Sequence, residues 1–506
     1  MIVSRSRLGF LLISGVAVLT AGVVVAPPVA AAPAAVSPLV LASGPSPFAD
    51  CTAGATGTQG EAVYVNAETE PWVAVNPHNP ANLIGVFQQD RWNTGGSHGL
   101  VTAASLNGGA TWTRTFPHFS QCAGGTAANG GDYPRSSDPW VSIGPDGTAY
   151  QVSLSFAADN SLSAILASVS HDGGLSWSEP ATIKRDATPI PGINFNDKES
   201  VTADPVRAGT AYVVWDRSAF PSDSASLNGL INSFAFRGTP WFSKTTDGGR
   251  TWSPAAPMSS QNIGTIGNQV AVEPDGTLID VFHYGKGSGF DQPNASLIGV
   301  MSSTDGGAHW SPPRPISNNP VVQNVDPETG VPLRTGADVG GAIPDIAVDP
   351  VSGALYVVWE DSRFSGTHDD IALSKSIDGG KTWTAPVKVN QTPVPVFAFT
   401  PAVDVLPNGT VAVTYYDIRN NTPAPGLLTD YFVVHSHDGG VNWSESRITP
   451  ASFDDENAPA SLGRGYFLGD YQGLAHTGTT FKSFFVQTNS GNPTNRTDVF
   501  ATTVSP

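Results

Sequence analysis

The sequence predicts an all-β fold, a seven-bladed β-propeller with six blades as the alternative. The first observation is a turn string, Asp-Gly-Gly followed by a tryptophan, that recurs in six copies. The second is a strand–turn–strand pattern that occurs in seven copies. Four-stranded units repeating at this length are typical of propeller blades. The third is a β-rich segment near the N-terminus that can complete the last blade and close the ring.

Each turn string is predicted to join two antiparallel strands. In the copy at 376–383, "SIDGGKTW", a β-rich run precedes the turn and a shorter one follows it. The aspartate can bond the backbone of its own turn, and the glycines can adopt positive φ. These acids are therefore interpreted as structural. The six copies are 105–112, where Asn107 replaces the aspartate, 170–177, 245–252, 303–310, 376–383 and 436–443.

The strand–turn–strand segments supply the first two strands of each blade, and proline and glycine mark their turns. The last blade ends after its third strand, 497–504, and lacks a fourth. The segment 61–65, "EAVYV", lies just before the first blade and is predicted to fill that place. The seven segments are 71–91, 139–155, 199–217, 268–284, 344–363, 401–419 and the divergent 469–487.

The N-terminus has the composition of a signal peptide, residues 1–31. Arg5 and Arg7 precede an apolar stretch at 8–26, and small residues around Ala31 fit a cleavage site. The alternative is an uncleaved membrane anchor. We expect a secreted, extracellular protein that has no membrane contact after cleavage. Residues 32–57 are rich in Ala, Pro and Gly and predict a linker, so the propeller is assigned to 58–506.

The overall charge is strongly negative, with 25 Lys and Arg against 43 Asp and Glu and a net charge of -18. This balance argues against nucleic acid as a partner. The two cysteines, Cys51 and Cys122, predict one disulfide in an oxidising compartment, with two free thiols as the alternative. We expect a monomer.

No motif predicts a cofactor or a metal. The sequence has no P-loop, no dinucleotide-binding glycine pattern, no GxSxG elbow, no HExxH and no zinc spacing. The acidic run 453–457, "FDDEN", could offer oxygen ligands to calcium. It lacks the full calcium-loop pattern and is interpreted as a solvated loop.

The six turn strings resemble the Asp-box, or BNR repeat, of the sialidase superfamily, S/T-x-D-G-G-x-x-W. The resemblance covers most of residues 60–504. It implies an extracellular β-propeller that is often carbohydrate-active. Asp-box propellers also include other glycosidases and non-catalytic binders, so fold alone does not fix the function.

Sialidases carry an Arg-Ile-Pro motif at the first blade, whose arginine helps to clamp the sugar carboxylate. Here the corresponding stretch is "ETEPWVAV", with Glu70 before Pro71. An acid near that place would repel sialic acid. The sequence therefore predicts a glycan substrate other than a sialoside.

The residues that lead the innermost strands differ from blade to blade, which is typical of a channel mouth rather than a scaffold. Blades seven, one and two should bring Asp470, Glu70 and Asp138 together, and Tyr471 follows Asp470. Paired carboxylates are the minimum for glycoside hydrolysis, so these four residues are the predicted catalytic set. Alternatively, the acids only cap strands. The leading residues are Glu70, Asp138, Lys198, Gly267, Ile343, Thr400 and Asp470.

The ends of the second strands supply the predicted substrate-binding residues. An Asp–Arg pair recurs in four blades, and a structural brace is the alternative for it. Blade four instead offers His283 and Tyr284, a titratable ring and an aromatic, for which ordinary hydrogen bonding is the alternative. Arg135 lies in a loop beside the second blade. The paired residues are Asp90 and Arg91, Asp216 and Arg217, Asp361 and Arg363, and Asp417 and Arg419.

The sequence thus favours a secreted glycoside hydrolase whose partner is a glycan or polysaccharide, and analogy with sialidases implies exo-action. The second hypothesis is a non-catalytic propeller that binds carbohydrate or protein through the same face.

Overall fold

The computed structural model describes residue 1 and residues 32–158, 162–187, 193–220, 237–260, 263–285, 296–333, 343–463 and 465–506. The predicted signal peptide lies outside the described residues, apart from Met1. Over these ranges the chain forms strands and three short 3₁₀ turns, without an α-helix. The all-β prediction is confirmed. The 3₁₀ turns are Gln121–Ala123, Ser362–Phe364 and Asp455–Asn457.

The strands form successive antiparallel units, most of them four strands long in chain order. Two short strands precede the first unit: β1 (Ala35–Val36) and β2 (Val40–Leu41). Those of the first unit are β3 (Val63–Val75), β4 (Leu83–Trp92), β5 (Ser97–Ser105) and β6 (Thr113–Thr115). Those of the second unit are β7 (Arg135–Ile143), β8 (Ala149–Phe156), β9 (Leu162–Ser170) and β10 (Ala181–Ala187). Those of the third unit are β11 (Ile193–Ala203), β12 (Ala211–Phe220), β13 (Arg237–Thr245) and β14 (Ala256–Pro257).

The remaining units continue this order. Those of the fourth unit are β15 (Thr265–Val272), β16 (Leu278–Gly285), β17 (Ser296–Ser303) and β18 (Arg314–Asn318). Those of the fifth unit are β19 (Asp345–Val348), β20 (Leu355–Asp361), β21 (Asp370–Ser376) and β22 (Val387–Lys388). Those of the sixth unit are β23 (Ala398–Val405), β24 (Val411–Asp417), β25 (Leu428–Ser436) and β26 (Ser444–Arg447). Three short strands follow: β27 (Phe453–Asp454), β28 (Ala460–Ser461) and β29 (Gly465–Tyr466). Those of the last unit are β30 (Gly473–Thr477), β31 (Thr480–Thr488) and β32 (Thr497–Ser505).

Each turn string joins the third and fourth strands of its unit, as the sequence predicts. In the fifth unit, Asp378 Oδ1 accepts a hydrogen bond from the Thr382 backbone N–H at 2.9 Å. Gly379 and Gly380 have φ of 70° and 69°, a region in which side chains are strained. The Trp383 indole N–H donates to Gly380 O at 3.1 Å. The carboxylate of Asp378 is therefore engaged within its own turn.

Asp378→Ala is expected to lower Tm slightly, by about 2 °C, because local backbone bonds are lost. It should leave any activity per folded molecule unchanged. Scanning fluorimetry and an activity assay check this, with Ile377→Ala as the control because Ile377 is exposed in the same turn. An unchanged Tm with complete loss of activity would show that the aspartate has a functional role.

Apolar side chains fill the spaces between neighbouring units. Separate clusters join each consecutive pair from the first unit to the sixth. The last unit packs on the sixth, where the rings of Tyr431 and Phe485 stack with centroids 4.5 Å apart. It also packs on the first, where a Cβ on Gly85 would overlap the Phe484 ring. The first strands of consecutive units contact one another, and β30 contacts β3.

The structure corrects the prediction for residues 61–65. Val63 and Tyr64 belong to β3 and pair with Trp92 and Arg91 of β4 rather than with the last unit. This segment runs directly into the first strand of the first unit, so it cannot cross to another sheet. The edge of β32 is instead paired with β1 and β2, which lie further upstream.

Residues 32–57, for which composition predicts a linker, supply strands β1 and β2 and buried side chains. Ala42 and Phe48 are among the buried ones. Cys51 and Cys122 form a disulfide with Cα atoms 5.6 Å apart, so the disulfide prediction is confirmed. The bond ties this N-terminal segment to the 3₁₀ turn Gln121–Ala123.

Candidate active site

The positions that lead the first strands are backbone bulges in the first, second, third, fourth and sixth units. At each of them the register with the second strand shifts. A bulge redirects its side chain, and a left-handed φ costs a residue other than glycine about 1–3 kcal/mol. The five φ values are 53° at Glu70, 53° at Asp138, 48° at Lys198, 71° at Gly267 and 50° at Thr400.

Four of these bulges donate their backbone N–H to an acceptor on the preceding unit. The bonds fix each bulge against its neighbour and offset part of the strain. The last unit acts as the neighbour of the first. The four bonds run from Glu70 to Leu468 O (3.2 Å), from Lys198 to Asp138 Oδ2 (3.4 Å), from Gly267 to Asp216 Oδ2 (2.8 Å) and from Thr400 to Glu360 Oε1 (2.8 Å).

Three carboxylates from three units converge on one ammonium. Lys198 Nζ donates to Glu70 Oε1 at 3.0 Å, to Asp138 Oδ1 at 3.2 Å and to Asp470 Oδ2 at 2.5 Å. All four side chains are at most 7% exposed. We call these four residues the acid centre. The structure thus brings together the three predicted acids, and it adds a lysine.

Burial raises the pKa of Glu70 to about 7. Lys198 opposes this rise, whereas the charges of Asp138 and Asp470 reinforce it. Glu199, next along β11, is also buried, and burial raises the pKa of its carboxyl well above the ordinary value. A carboxyl group that titrates near neutral pH can donate or accept a proton there.

Arg91 supports the acid centre through a second side chain. Its Nη1 donates to Gln88 Oε1 at 2.7 Å, and Gln88 Nε2 donates to Glu70 Oε2. Gln88 also donates to Ser137 Oγ at 3.1 Å. The Arg91 guanidinium lies over the Phe467 ring, 4.6 Å from its centroid. Arg91 is therefore connected to the acid centre through Gln88.

Tyr471 packs beside the acid centre, but its hydroxyl points elsewhere. The hydroxyl donates to Pro139 O at 3.2 Å. The ring lies 5.1 Å from Trp140 between centroids, and its centroid is 5.5 Å from Lys198 Nζ. Burial raises the pKa of this hydroxyl well above the ordinary value. A catalytic role for Tyr471 stays a prediction.

The other predicted arginines make local ion pairs in separate places. Arg135 is buried against Glu61, at 2.6 Å. Arg363 and Arg419 pair with the aspartates of their own Asp–Arg pairs, as a brace would. Arg217 pairs with Asp186 at 2.8 Å instead. The structure does not place these four arginines on the acid centre.

The Asp–Arg brace fails in the other two blades because the aspartates bond elsewhere. Asp216 holds the Gly267 bulge, and Asp90 Oδ1 accepts from the Asn66 backbone N–H at 2.8 Å. A common sequence pattern therefore serves two different structural purposes.

His283 and Tyr284, for which the sequence predicts substrate binding, are buried inside the fourth unit. His283 Nε2 lies 2.8 Å from Ser296 Oγ, and Tyr284 packs edge-on against Phe282. Burial lowers the pKa of His283 to about 4, so the ring is neutral at pH 7. Every residue of β16 is buried, so both faces of this strand are covered and neither side chain reaches solvent.

Lys198 and Gln88 are the functional candidates that the sequence interpretation missed. Lys198 stands at one of the differentiated leading positions, and that was its only signal. Gln88 had none, because its role depends on the pairing of β3 with β4.

The described part of the chain contains neither a cluster of metal-binding side chains nor a helix that could span a membrane. No cluster of three or more His, Cys, Asp or Glu side chains there is arranged to hold a metal ion. No helix in the same ranges is long and apolar enough to cross a bilayer.

The chain is similar in structure to a sialidase, a trans-sialidase and an α-L-arabinanase. A Hadza microbial sialidase has a TM-score of 0.47 at 16% identity, over 84% of this chain and 74% of that one. A leech intramolecular trans-sialidase has 0.44 at 11%, over 87% and 92%. The Penicillium chrysogenum α-L-arabinanase has 0.40 at 13%, over 87% and 98%. No protein-family model and no curated protein matches the chain. At these low scores, neither activity nor substrate follows from the likeness.

Proposed function

We propose that this chain is a secreted, seven-bladed β-propeller that hydrolyses glycosidic bonds at the acid centre. The contacts of the first strands, from β3 through the later units and back from β30 to β3, support the seven-bladed ring. The pairing of β32 with β1 and β2 supports its closure by the N-terminal segment. The disulfide supports an oxidising compartment.

The convergence of Glu70, Asp138 and Asp470 on one point carries the proposal. Hydrolysis of a glycosidic bond needs one carboxylic acid to protonate the leaving oxygen and one carboxylate on the other side of the bond. The two groups need different environments so that one keeps its proton. Strained bulges in β3 and β7 aim Glu70 and Asp138, and the loop before β30 supplies Asp470.

Glu70 is the proposed general acid, because its pKa of about 7 leaves it protonated in mildly acidic medium. Asp138 and Asp470 are the proposed partners, as nucleophile or as base. Arg91 and Gln88 orient Glu70. The proposed substrate is an extracellular glycan without a carboxylate at the cleaved sugar, because the acid centre holds three acids against one lysine.

Glu70→Gln is expected to lower kcat/KM by about 10²–10⁴-fold, the usual contribution of a general acid. Asp138→Asn and Asp470→Asn test the partner roles. Parent and variants are assayed on a panel of nitrophenyl glycosides at pH 5 to 7. Glu68→Gln is the matched control: Glu68 is buried on the same strand and bonds Gln89 rather than Lys198.

The proposal is wrong if Glu70→Gln cleaves a substrate of the parent as efficiently as the control Glu68→Gln does. It is also wrong if the parent turns over no glycoside in a broad panel.

The burial of the acid centre favours a second candidate function, a non-catalytic propeller that binds polysaccharide or protein. Each carboxylate already bonds Lys198, so the acids and the lysine could serve to hold four units together. A glycan array separates the two functions. Binding without turnover on the glycoside panel supports the binding function.

A further inference from the structure

One lysine satisfies three acids that come from three different units. An ammonium has three donors, and Lys198 directs one to each carboxylate of the acid centre. The Lys198 backbone N–H donates both to Asp138 Oδ2 at 3.4 Å and to Asp197 Oδ1 at 3.1 Å. Asp138 therefore meets Lys198 twice, at the ammonium and at the backbone.

Other units have a residue at the position that corresponds to Lys198, but none of those residues is positively charged. The corresponding residues of the fourth, fifth and sixth units are Gly267, Ile343 and Thr400, and none of them is charged. Only the third unit places a cation at this point, and it does so on a left-handed bulge. A scaffold position would repeat the same residue in every unit. The lysine of the third unit is therefore explained by the three carboxylates that surround it.

We propose that Lys198 is the positioning residue of the acid centre, whose ammonium holds the three carboxylates at one point and limits the number that take up a proton. This inference rests on the proposed function in one respect only: the carboxylates it positions are the proposed catalytic ones. The charge coupling itself can be measured without a substrate.

The charged groups around Glu70 come from every element packed on it. Lys198 and Arg91 are the cations, and both lower the pKa of Glu70. Asp138 and Asp470 are the anions that raise it. Burial and, after it, the charge of Asp138 raise the pKa of Glu199, and Tyr471 lies against Lys198. The acids outnumber the cations, so removal of Lys198 leaves a buried cluster of like charges.

Lys198→Met and Lys198→Arg separate charge from packing. Lys198→Met is expected to lower Tm by several degrees at pH 8 and by less at pH 5, where the uncompensated carboxyls take up protons. Lys198→Arg keeps the charge and should restore most of the pH 8 loss. Adding Glu70→Gln to Lys198→Met removes one of the repelling acids and should recover part of the Tm. Adding Glu68→Gln instead should change Tm by no more than Glu68→Gln changes it in the parent, because Glu68 bonds Gln89 rather than Lys198.

The activity arm uses whichever glycoside the parent cleaves. The basic limb of the pH–rate profile should move to higher pH in Lys198→Met and stay in place in Lys198→Arg. Equal losses of Tm at pH 5 and pH 8, with no rescue by Glu70→Gln, would overturn the inference in favour of simple packing. If the Tm pattern holds while the parent cleaves nothing, Lys198 positions the acids and the proposed hydrolase activity fails.

Discussion

The folded protein is expected to be most stable in mildly acidic solution and to lose several kcal/mol of unfolding free energy between about pH 5 and pH 8. The cause is a set of buried carboxyl groups whose pKa values are raised, in each case mainly by burial. Five of them have values near neutrality: Glu70 and Asp345 at about 7, and Asp216, Asp369 and Asp455 at about 8. In Glu68, Glu199 and Asp280 the pKa is raised well above the ordinary value.

The sign follows from proton linkage. An acid with a higher pKa in the folded state keeps its proton there longer than in the unfolded chain. Folding then binds protons, and stability falls as pH rises from the unfolded value, near 4, through the folded value. Buried histidines act in the opposite direction below pH 6.5, because burial lowers the pKa of His283 to about 4 and also lowers that of His368 and His435. The acids are more numerous, so they decide the trend above pH 5.

Denaturant unfolding at pH 5, 6, 7 and 8 tests this prediction. The midpoint concentration should fall steadily across the series. Asp280→Asn should flatten the slope because it removes one buried carboxyl group, whereas Asp50→Asn, at an exposed position, should leave it unchanged. A flat or rising profile from pH 5 to pH 8 would mean that the buried acids ionise at no cost.

The repeat explains why much of the fold could be predicted. The turn strings can be predicted from local sequence, because their hydrogen bonds and positive φ angles lie within the turn itself, as at Asp378. The meeting of Glu70, Asp138 and Asp470 followed from equivalent positions in units that are neighbours in space. Such inferences need only the alignment of the repeats and the order in which the units follow one another around the ring.

The remaining features depend on contacts that no repeat encodes. Residues 61–65 have the composition of a separate strand, yet they continue into β3. The pairing of Asp90 and Asp216 with bulges and turns, rather than with the next arginine, depends on which backbone N–H lies nearest. Lys198 was visible only as a deviation from the other units, and its three partners lie on other parts of the chain.

The protein is expected to cleave α-linked sialosides at least about a thousandfold less efficiently than a sialidase does. A sialoside carboxylate about 4 Å from an ionised carboxylate of the acid centre would be repelled by roughly 4 kcal/mol at an effective dielectric constant of about 20. The absence of a charge-assisted arginine fork forfeits roughly another 1.5–3 kcal/mol. Each tenfold loss corresponds to about 1.4 kcal/mol, so these terms together exceed the stated factor.

The arginines that could form such a clamp already bond other side chains. Arg217, Arg363 and Arg419 each hold a carboxylate within their own part of the fold. Arg91 lies closest to the acid centre but donates to Gln88. A fluorogenic sialoside at pH 5 to 7, with a known sialidase as the control, measures the outcome. Turnover equal to the control, abolished by Arg91→Ala, would show that Arg91 leaves Gln88 to bind the sugar carboxylate and that the acid centre tolerates an anionic substrate.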